Sequence, residues 1–458
     1  MKVVICGAGQ VGFGIAERLA GEQNDVSIID ASPRRIQLAT EQLDVRGVVG
    51  HGSHPDVLAK AGAEQADMII AVTLHDEVNM VACQVAHALF NVPTKVARVR
   101  AQTYLQPEWR DLFSRDHLPI DVIISPEVEV GEMVLRRLSL PGAIDTVNFA
   151  DGAVVVAGVY CAEDCPILDT PLRELTQLFP DLRATIVAVQ RAGKPVVLKS
   201  TDSIQAGDVA YFVAAAGQVK RTLSIFGHDE IPGQRIVIAG GGNIGLYVAQ
   251  ELERRNSAAK VKLIESSRER AQAIAEVLHR AVVLNGDALA REILDEAGVP
   301  DADTMISLTN DDRINILSCL LAKQLGARRI LSLVNEQGYA AFARGLGIDA
   351  HVNPRQITVS KVLQHVRRGR IRGVHSLLEG AGEVIEAEAL ETSPLVGKPL
   401  RDLDLLEGLR VGAIVRNGEV ILPTGDLVVR AQDRVILFAL SNQIKRVEQL
   451  FRVSLEFF

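Results

Sequence analysis

Residues 2–30 read KVVICGAGQVGFGIAERLAGEQNDVSIID. The apolar run Val3–Cys6 is a buried strand that leads directly into Gly7-Ala8-Gly9-Gln10-Val11-Gly12. Val11, Ile15 and Leu19 follow at four-residue spacing, the apolar stripe of a helix. A second strand, Val26–Ile29, ends in the acid Asp30. Strand, G-x-G-x-x-G turn, helix, strand and acid in this order form the fingerprint of a dinucleotide-binding βαβ unit. Gly7 permits the tight turn, Gly9 lets the backbone approach a pyrophosphate, and Gly12 allows close helix–strand packing. The helix N-terminus offers unpaired N–H groups to phosphate. Asp30, expected at a solvent-facing strand end, is placed for ribose hydroxyls and repels a 2′-phosphate.

Working outward, Ser32-Pro33 opens a second helix, and a third strand ends at Val49 before the polar turn Gly50-His51-Gly52-Ser53-His54. Residues 67–73, DMIIAVT, read as a buried parallel strand delivering Thr73 and Asp76 to the next loop. A helix through Asn79 and Cys83 precedes the strand Lys95–Val99, which carries Arg98. Another helix and the strand Asp121–Ser125 complete six strands alternating with helices. That pattern predicts a doubly wound α/β sheet with its ligand crevice at the carboxyl edge. After Pro126 comes an amphipathic helix, Glu127–Leu140, and then alternating strands with turns at Arg191-Ala192-Gly193 and Ala206-Gly207-Asp208. These describe a small β-rich module.

The chain then begins again. Residues 235–239 form a strand, Gly240-Gly241-Gly242-Asn243-Ile244-Gly245 repeats the turn, and residues 261–264 lead to Glu265. Gly7 and Gly240 lie 233 residues apart; the pairs Asp67/Asp303, Thr73/Thr309, Asp76/Asp312 and Asn79/Asn315 lie 236 apart. In the small modules Arg191, Gly193 and Asp208 meet Arg416, Gly418 and Asp433 at 225. The chain is therefore a tandem duplication of a two-domain unit. Its expected domains are residues 1–138 and 232–370, dinucleotide-binding, with small modules at 139–231 and 371–458. The repeat does not keep Arg98: alignment on Tyr104 and Tyr339 sets Leu333 opposite it. If Arg98 neutralises phosphate, the two sites differ in affinity or ligand.

Composition narrows the function. The chain has 458 residues, 48% of them hydrophobic and 4% aromatic, which suits several α/β domains with Val/Ile/Leu-rich strands. A net charge of −8 gives no electrostatic case for nucleic acid. No apolar run reaches the length of a membrane span and no signal peptide is evident, so a cytoplasmic protein is expected. Five cysteines without a matching second pair read as free thiols rather than a metal site. No phosphate-hydrolysing loop and no catalytic constellation stands out, so binding without turnover is favoured. An NAD-dependent oxidoreductase and a redox-sensing transcription regulator are the alternatives. The basic run His365, Arg367, Arg368 and Arg370 reads as a solvated helix end or a docking point for an acidic surface.

The stretches MKVVICGAGQVG, GHGSHPDVL, ADMIIAVT, DEVNMVACQVA and NGDA, together with the tandem four-domain order, resemble the TrkA family. Its members are nucleotide-binding regulatory subunits of bacterial Trk potassium-uptake systems. The resemblance implies RCK (regulator of potassium conductance) domains that assemble into a homo-oligomeric ring of four tandem units. That ring would sit on the inner face of the membrane beneath a membrane-embedded potassium transporter. It implies a first site of Gly7 to Val11, Asp30, Thr73, Leu74 and Arg98. The second would comprise Gly240 to Ile244, Glu265, Thr309 and Asn310. The implied ligands are NAD or NADH, and ATP or ADP.

Overall fold

The computed structural model describes residues 1–179, 182–366, 371–377, 380–403 and 408–451. By its internal contacts the chain divides into two compact units. One comprises Met1–Val130 with Pro354–Val366, the other Gly131–Asn353 with Arg367–Phe458.

The first unit is built from β1 (Lys2–Cys6), α1 (Gln10–Gly21), β2 (Asp25–Asp30), α2 (Pro33–Gln42), β3 (Arg46–Val49), α3 (Pro55–Lys60), β4 (Met68–Ala71), α4 (Asp76–Phe90), β5 (Thr94–Arg98) and β6 (Val122–Ile124). α5 (Pro126–Ser139) begins in this unit. The strands form one parallel sheet in the order β3-β2-β1-β4-β5-β6, the doubly wound arrangement expected. Side chains alternate across it. Val3 and Ile5 pack with Ile15, Leu19 and Ile70 on one face, and Val4 and Cys6 pack with Ile69, Met80 and Cys83 on the other. Covering on both faces is why β1 and β4 read as continuous apolar runs. The expected helix between β5 and β6 is two 3₁₀ segments instead, Gln102–Leu105 and Pro107–Phe113. Pro107 lacks the N–H an α-helix needs, and the chain closes tighter turns around it.

The second unit repeats the plan after a small module. β7 (Ala143–Phe149), β8 (Val154–Tyr160), α6 (Leu172–Leu178), β9 (Ala184–Arg191), β10 (Lys194–Val196), β11 (Val209–Ala215) and α7 (Val219–Ile225) form an antiparallel five-stranded sheet with two helices. Then come β12 (Arg235–Ala239), α8 (Asn243–Arg255), β13 (Lys260–Glu265), α9 (Arg268–Val277), β14 (Val282–Asn285), α10 (Arg291–Glu296), β15 (Thr304–Ser307), α11 (Asp312–Leu325), β16 (Ile330–Leu333), α12 (Gln337–Gly345) and β17 (Ala350–Val352). Their sheet order, β14-β13-β12-β15-β16-β17, matches the first strand for strand. α13 (Pro354–Val366) follows, and then β18 (Ile371–Leu377), β19 (Gly382–Glu388), β20 (Leu409–Arg416), β21 (Glu419–Ile421), β22 (Arg434–Leu440) and α14 (Ile444–Leu450).

The helices after Pro126 and Pro354 do not simply close their own domains. α13 packs on α1: Val362, Leu363 and Val366 join the core of Ile15 and Leu19, and Arg355 pairs with Glu17. In the second unit Gly131 of α5 lies against the Tyr247 ring of α8, and Tyr247 Oη donates to Glu132 at 2.7 Å. The small modules also share one core, in which Val187, Tyr211 and Val213 pack with Val384, Ile436 and Phe438. Inside each, one ion pair is duplicated. Arg191 donates twice to Asp208, at 3.0 and 2.7 Å, and Arg416 twice to Asp433, at 2.9 and 2.7 Å. Both carboxylates are fully buried.

Candidate functional site

The carboxyl edge of each parallel sheet carries the same set of groups. Gly7 and Gly240 adopt φ of 108° and 101°, a conformation that favours glycine, and so turn the chain from strand into helix. A Cβ on Gly12 would lie 1.8 Å from the Gly7 carbonyl oxygen, and one on Gly245 1.9 Å from that of Gly240, so both positions must lack one. Gly9 and Gly242 are different: a Cβ there meets no described atom within 4 Å. Their glycines keep open the space that a ligand's backbone approach requires. Each is the N-cap residue of its helix, with no side-chain cap and no acidic residue in the first turn, so the helix's leading N–H groups stay available to an anion. Gln10 and Val11, like Asn243 and Ile244, form that first turn.

The acids act on the turn itself. Asp30 accepts the N–H groups of Ala8 and Ser32, both at 2.8 Å, and its side chain is only 10% exposed, so it is not solvent-facing as the sequence suggested. Glu265 accepts the equivalent pair from Gly241 and Ser267, both at 2.8 Å, its extra methylene absorbed without loss of either bond. Each carboxylate oxygen still has lone-pair capacity for a hydroxyl.

The loops after β4 and β15 are held by buried asparagines. Asn79 accepts from the N–H and hydroxyl of Thr73, both at 2.8 Å, and donates to the carbonyls of Thr73 and Arg98. Asn315 makes the same four bonds to Thr309 and Leu333. Asp76 and Asp312 accept backbone N–H groups of Arg100 and Ala101, and of Asn335 and Glu336. These four residues position the edge rather than face a ligand, a role that residue type alone did not reveal. Leu74 and Asn310 project, exposed, from the same loops.

The hydrogen bonds of Asn79 and Asn315 set Arg98 and Leu333 at equivalent strand ends, as the repeat alignment has them. Leu333 is buried and apolar. Arg98 is half-buried, and its Nε has no hydrogen-bond partner among the described residues. Burial, and then the neighbouring Arg100, lower its basicity, while Glu127 and Asp76 oppose that shift. A cation withdrawn from water at a sheet's carboxyl edge fits an anionic ligand. Two further cations escaped the sequence reading. Arg35 lies 3.5 Å from Asp30, and Arg270 donates to the Gly241 carbonyl at 2.9 Å. Their signal was the Ser-x-x-Arg step shared by Ser32–Arg35 and Ser267–Arg270.

The five cysteines are free and buried, and burial pushes the Cys6, Cys161 and Cys319 thiols up to about 12. Such thiols are poor nucleophiles. Among the described residues no helix is long and apolar enough to cross a membrane. His365 lies exposed on α13, and Arg367, Arg368 and Arg370 fall outside the described residues.

A family model of the TrkA-N domain matches residues 3–126 and 236–354, and one of the TrkA-C domain matches residues 384–452. The chain is similar to the Trk system potassium uptake protein TrkA of Azorhizobium caulinodans, with 81% identity over 458 residues and 100% of each chain covered. Its fold is similar to that of the GsuK RCK domain, with a TM-score of 0.60 at 20% identity over 98% of this chain and 94% of that one. The structure described as the GsuK channel bound to NAD matches with a TM-score of 0.59 at 19% identity, over 98% of this chain and 78% of that one.

Proposed function

The chain belongs to the TrkA family, the regulatory, non-enzymatic subunits of Trk potassium-uptake systems, and from that premise we propose how its two glycine turns serve regulation. Each turn binds an adenine nucleotide: NAD or NADH, or the shorter ATP and ADP. The free N–H groups at the starts of α1 and α8 take the phosphates. Asp30 and Glu265 hold the turns in shape and accept ribose hydroxyls with their remaining lone pairs. Arg98 neutralises phosphate at the first site only. Its buried Nε, without a hydrogen-bond partner among the described residues, is the observation that carries this reading.

Bound nucleotide acts by shifting a conformational equilibrium, and it can do so only by its different affinity for the two states. Tandem units assembled four to a ring, on the inner face of the membrane, would pass that shift to the membrane-embedded transporter. Calorimetric titration of the full chain with NAD, NADH, ATP and ADP tests the binding step. Two unequal sites per chain are expected for at least one ligand. Absence of saturable heat with all four would overturn the reading.

A further inference from the structure

The second unit contains a cleft of about 960 Å³ at the opposite, amino-terminal edge of its parallel sheet. Its floor carries four cations, Arg235, Lys260, Arg328 and Arg329, and one wall carries Tyr160 and Ile231, 49% and 86% exposed.

Helix C-termini gather at this edge and attract cations, so the cluster could in principle be scaffold. The first half removes that explanation. Lys2 faces Asp25 in its sheet as Arg235 faces Lys260, and Ile69 faces Lys95 as Met305 faces Ile330. The positions of Arg235, Lys260, Arg328 and Arg329 are therefore held in the first half by Lys2, Asp25, Pro93 and Thr94. At those four positions the same fold stands with one cation and one acid, and its further cation at this edge, Lys95, is paired with Asp121 at 2.7 Å.

Four carboxylates also line the cleft: Asp229 and Glu230, the latter 3.1 Å from His228 Nδ1, and Asp303 and Asp349, which are common to both halves and already committed. Asp303 accepts the Arg235 N–H at 2.9 Å as Asp67 accepts that of Lys2 at 2.8 Å. Asp349 accepts the Ile330 N–H as Asp121 accepts that of Lys95, both at 2.8 Å. In the second half Asp303 also pairs with Arg235 at 3.0 Å and Arg328 at 3.6 Å. Lys260 and Arg329 have no ion-pair partner among the described residues. Arg329 is half-buried, and desolvation lowers its basicity against only the longer-range pull of Asp349 and Glu230.

We propose that this cleft is a second ligand site, which takes a small phosphorylated anion on Lys260 and Arg329 with Arg235 and Arg328 adding to the field. Lys260 starts β13 and Arg329 precedes β16, with Arg235 on β12 between them, so the cations are spread along one edge and suit an extended group carrying two or more negative charges. The open Tyr160 and Ile231 surfaces leave room for an apolar portion of the same molecule. The site is separate from the glycine turns and does not depend on what they bind.

Inorganic tripolyphosphate, titrated calorimetrically into the full chain, is the probe. The double variant Lys260→Gln/Arg329→Gln should bind it at least tenfold more weakly than wild type, whereas Lys60→Gln, which removes an exposed lysine of the first unit outside both sites, should not. Lys260→Gln alone changes an exposed side chain, keeps the fold, and should weaken binding several-fold. Unchanged affinity in the folded single variant, or an equal loss in Lys60→Gln, overturns the proposal. A lipid headgroup carries the same phosphate chemistry, so sedimentation with phosphatidylglycerol vesicles forms a second arm. Vesicle binding that the double variant abolishes, with no tripolyphosphate binding in wild type, would overturn a soluble ligand.

Discussion

The two parallel sheets hold the same strands in the same order and agree within about 0.2 Å in the bonds of Asn79 and Asn315, yet differ where a ligand would feel it. The first has Arg98 at the end of β5, and the second has buried Leu333 at the end of β16. At the other edge the second gathers four cations where the first has Lys2, Asp25, Pro93 and Thr94. Duplication thus separates two kinds of residue inside one chain. What both copies keep with the same partners is scaffold, and what one copy has changed at a sheet edge is where the proposals above place ligand chemistry.

The sharpest way to break the comparison is at the glycines. Gly12→Ala and Gly245→Ala each force a Cβ to within 2 Å of a carbonyl oxygen, and each should cost more than about 4 kcal/mol. Urea midpoints of the two variants should fall together; tolerance of one would show that the turns are not equivalent. Next come Arg191→Ala and Arg416→Ala. Each strands a buried carboxylate, at a cost of about 3 kcal/mol, and near-equal losses are expected in the same assay.

A smaller effect belongs to the acids of the turns. Asp30→Ala removes two charge-assisted N–H bonds, so it should lower stability by about 2 kcal/mol as well as weaken nucleotide binding. Full stability with weakened binding would mean that Asp30 serves the ribose alone.

The smallest effect distinguishes the amino edges by pH. The Arg235 side chain, the backbone N–H groups it adjoins and the strand start hold Asp303 down at about 2. A depressed carboxyl contributes stability above its unfolded value near ~3.9, and that contribution disappears as pH falls from there towards 2. Arg235→Ala should therefore raise the acid midpoint of unfolding followed by circular dichroism. An unshifted midpoint would mean that the backbone N–H groups alone hold the carboxylate.

Much of this was legible in the residues. Apolar runs ending in G-x-G-x-x-G, twice, specify strand-turn-helix because only glycine fits the turn at Gly7 and the contact at Gly12. The repeat spacing then exposed Arg98 against Leu333 without any structure. Other features were not legible, for physical reasons. Asp30 looks the same in sequence whether it faces a ribose or its own turn. Pro107 marks a break but does not say that 3₁₀ turns replace a helix. The packing of α13 on α1 is a long-range choice that amphipathic periodicity cannot encode, because periodicity names an apolar face and not its partner. The amino-edge cations were invisible because they are scattered over the starts of three strands.

The central claim is that one nucleotide edge carries a phosphate cation that the other lacks. Titrating NADH into wild type and Arg98→Ala, each also combined with Gly242→Val to block the second turn, tests it most directly. Arg98→Ala should weaken binding at the first site by about 1.5–3 kcal/mol, roughly tenfold or more, and leave the second site's affinity unchanged. Equal weakening at both sites, or none at the first, would contradict it.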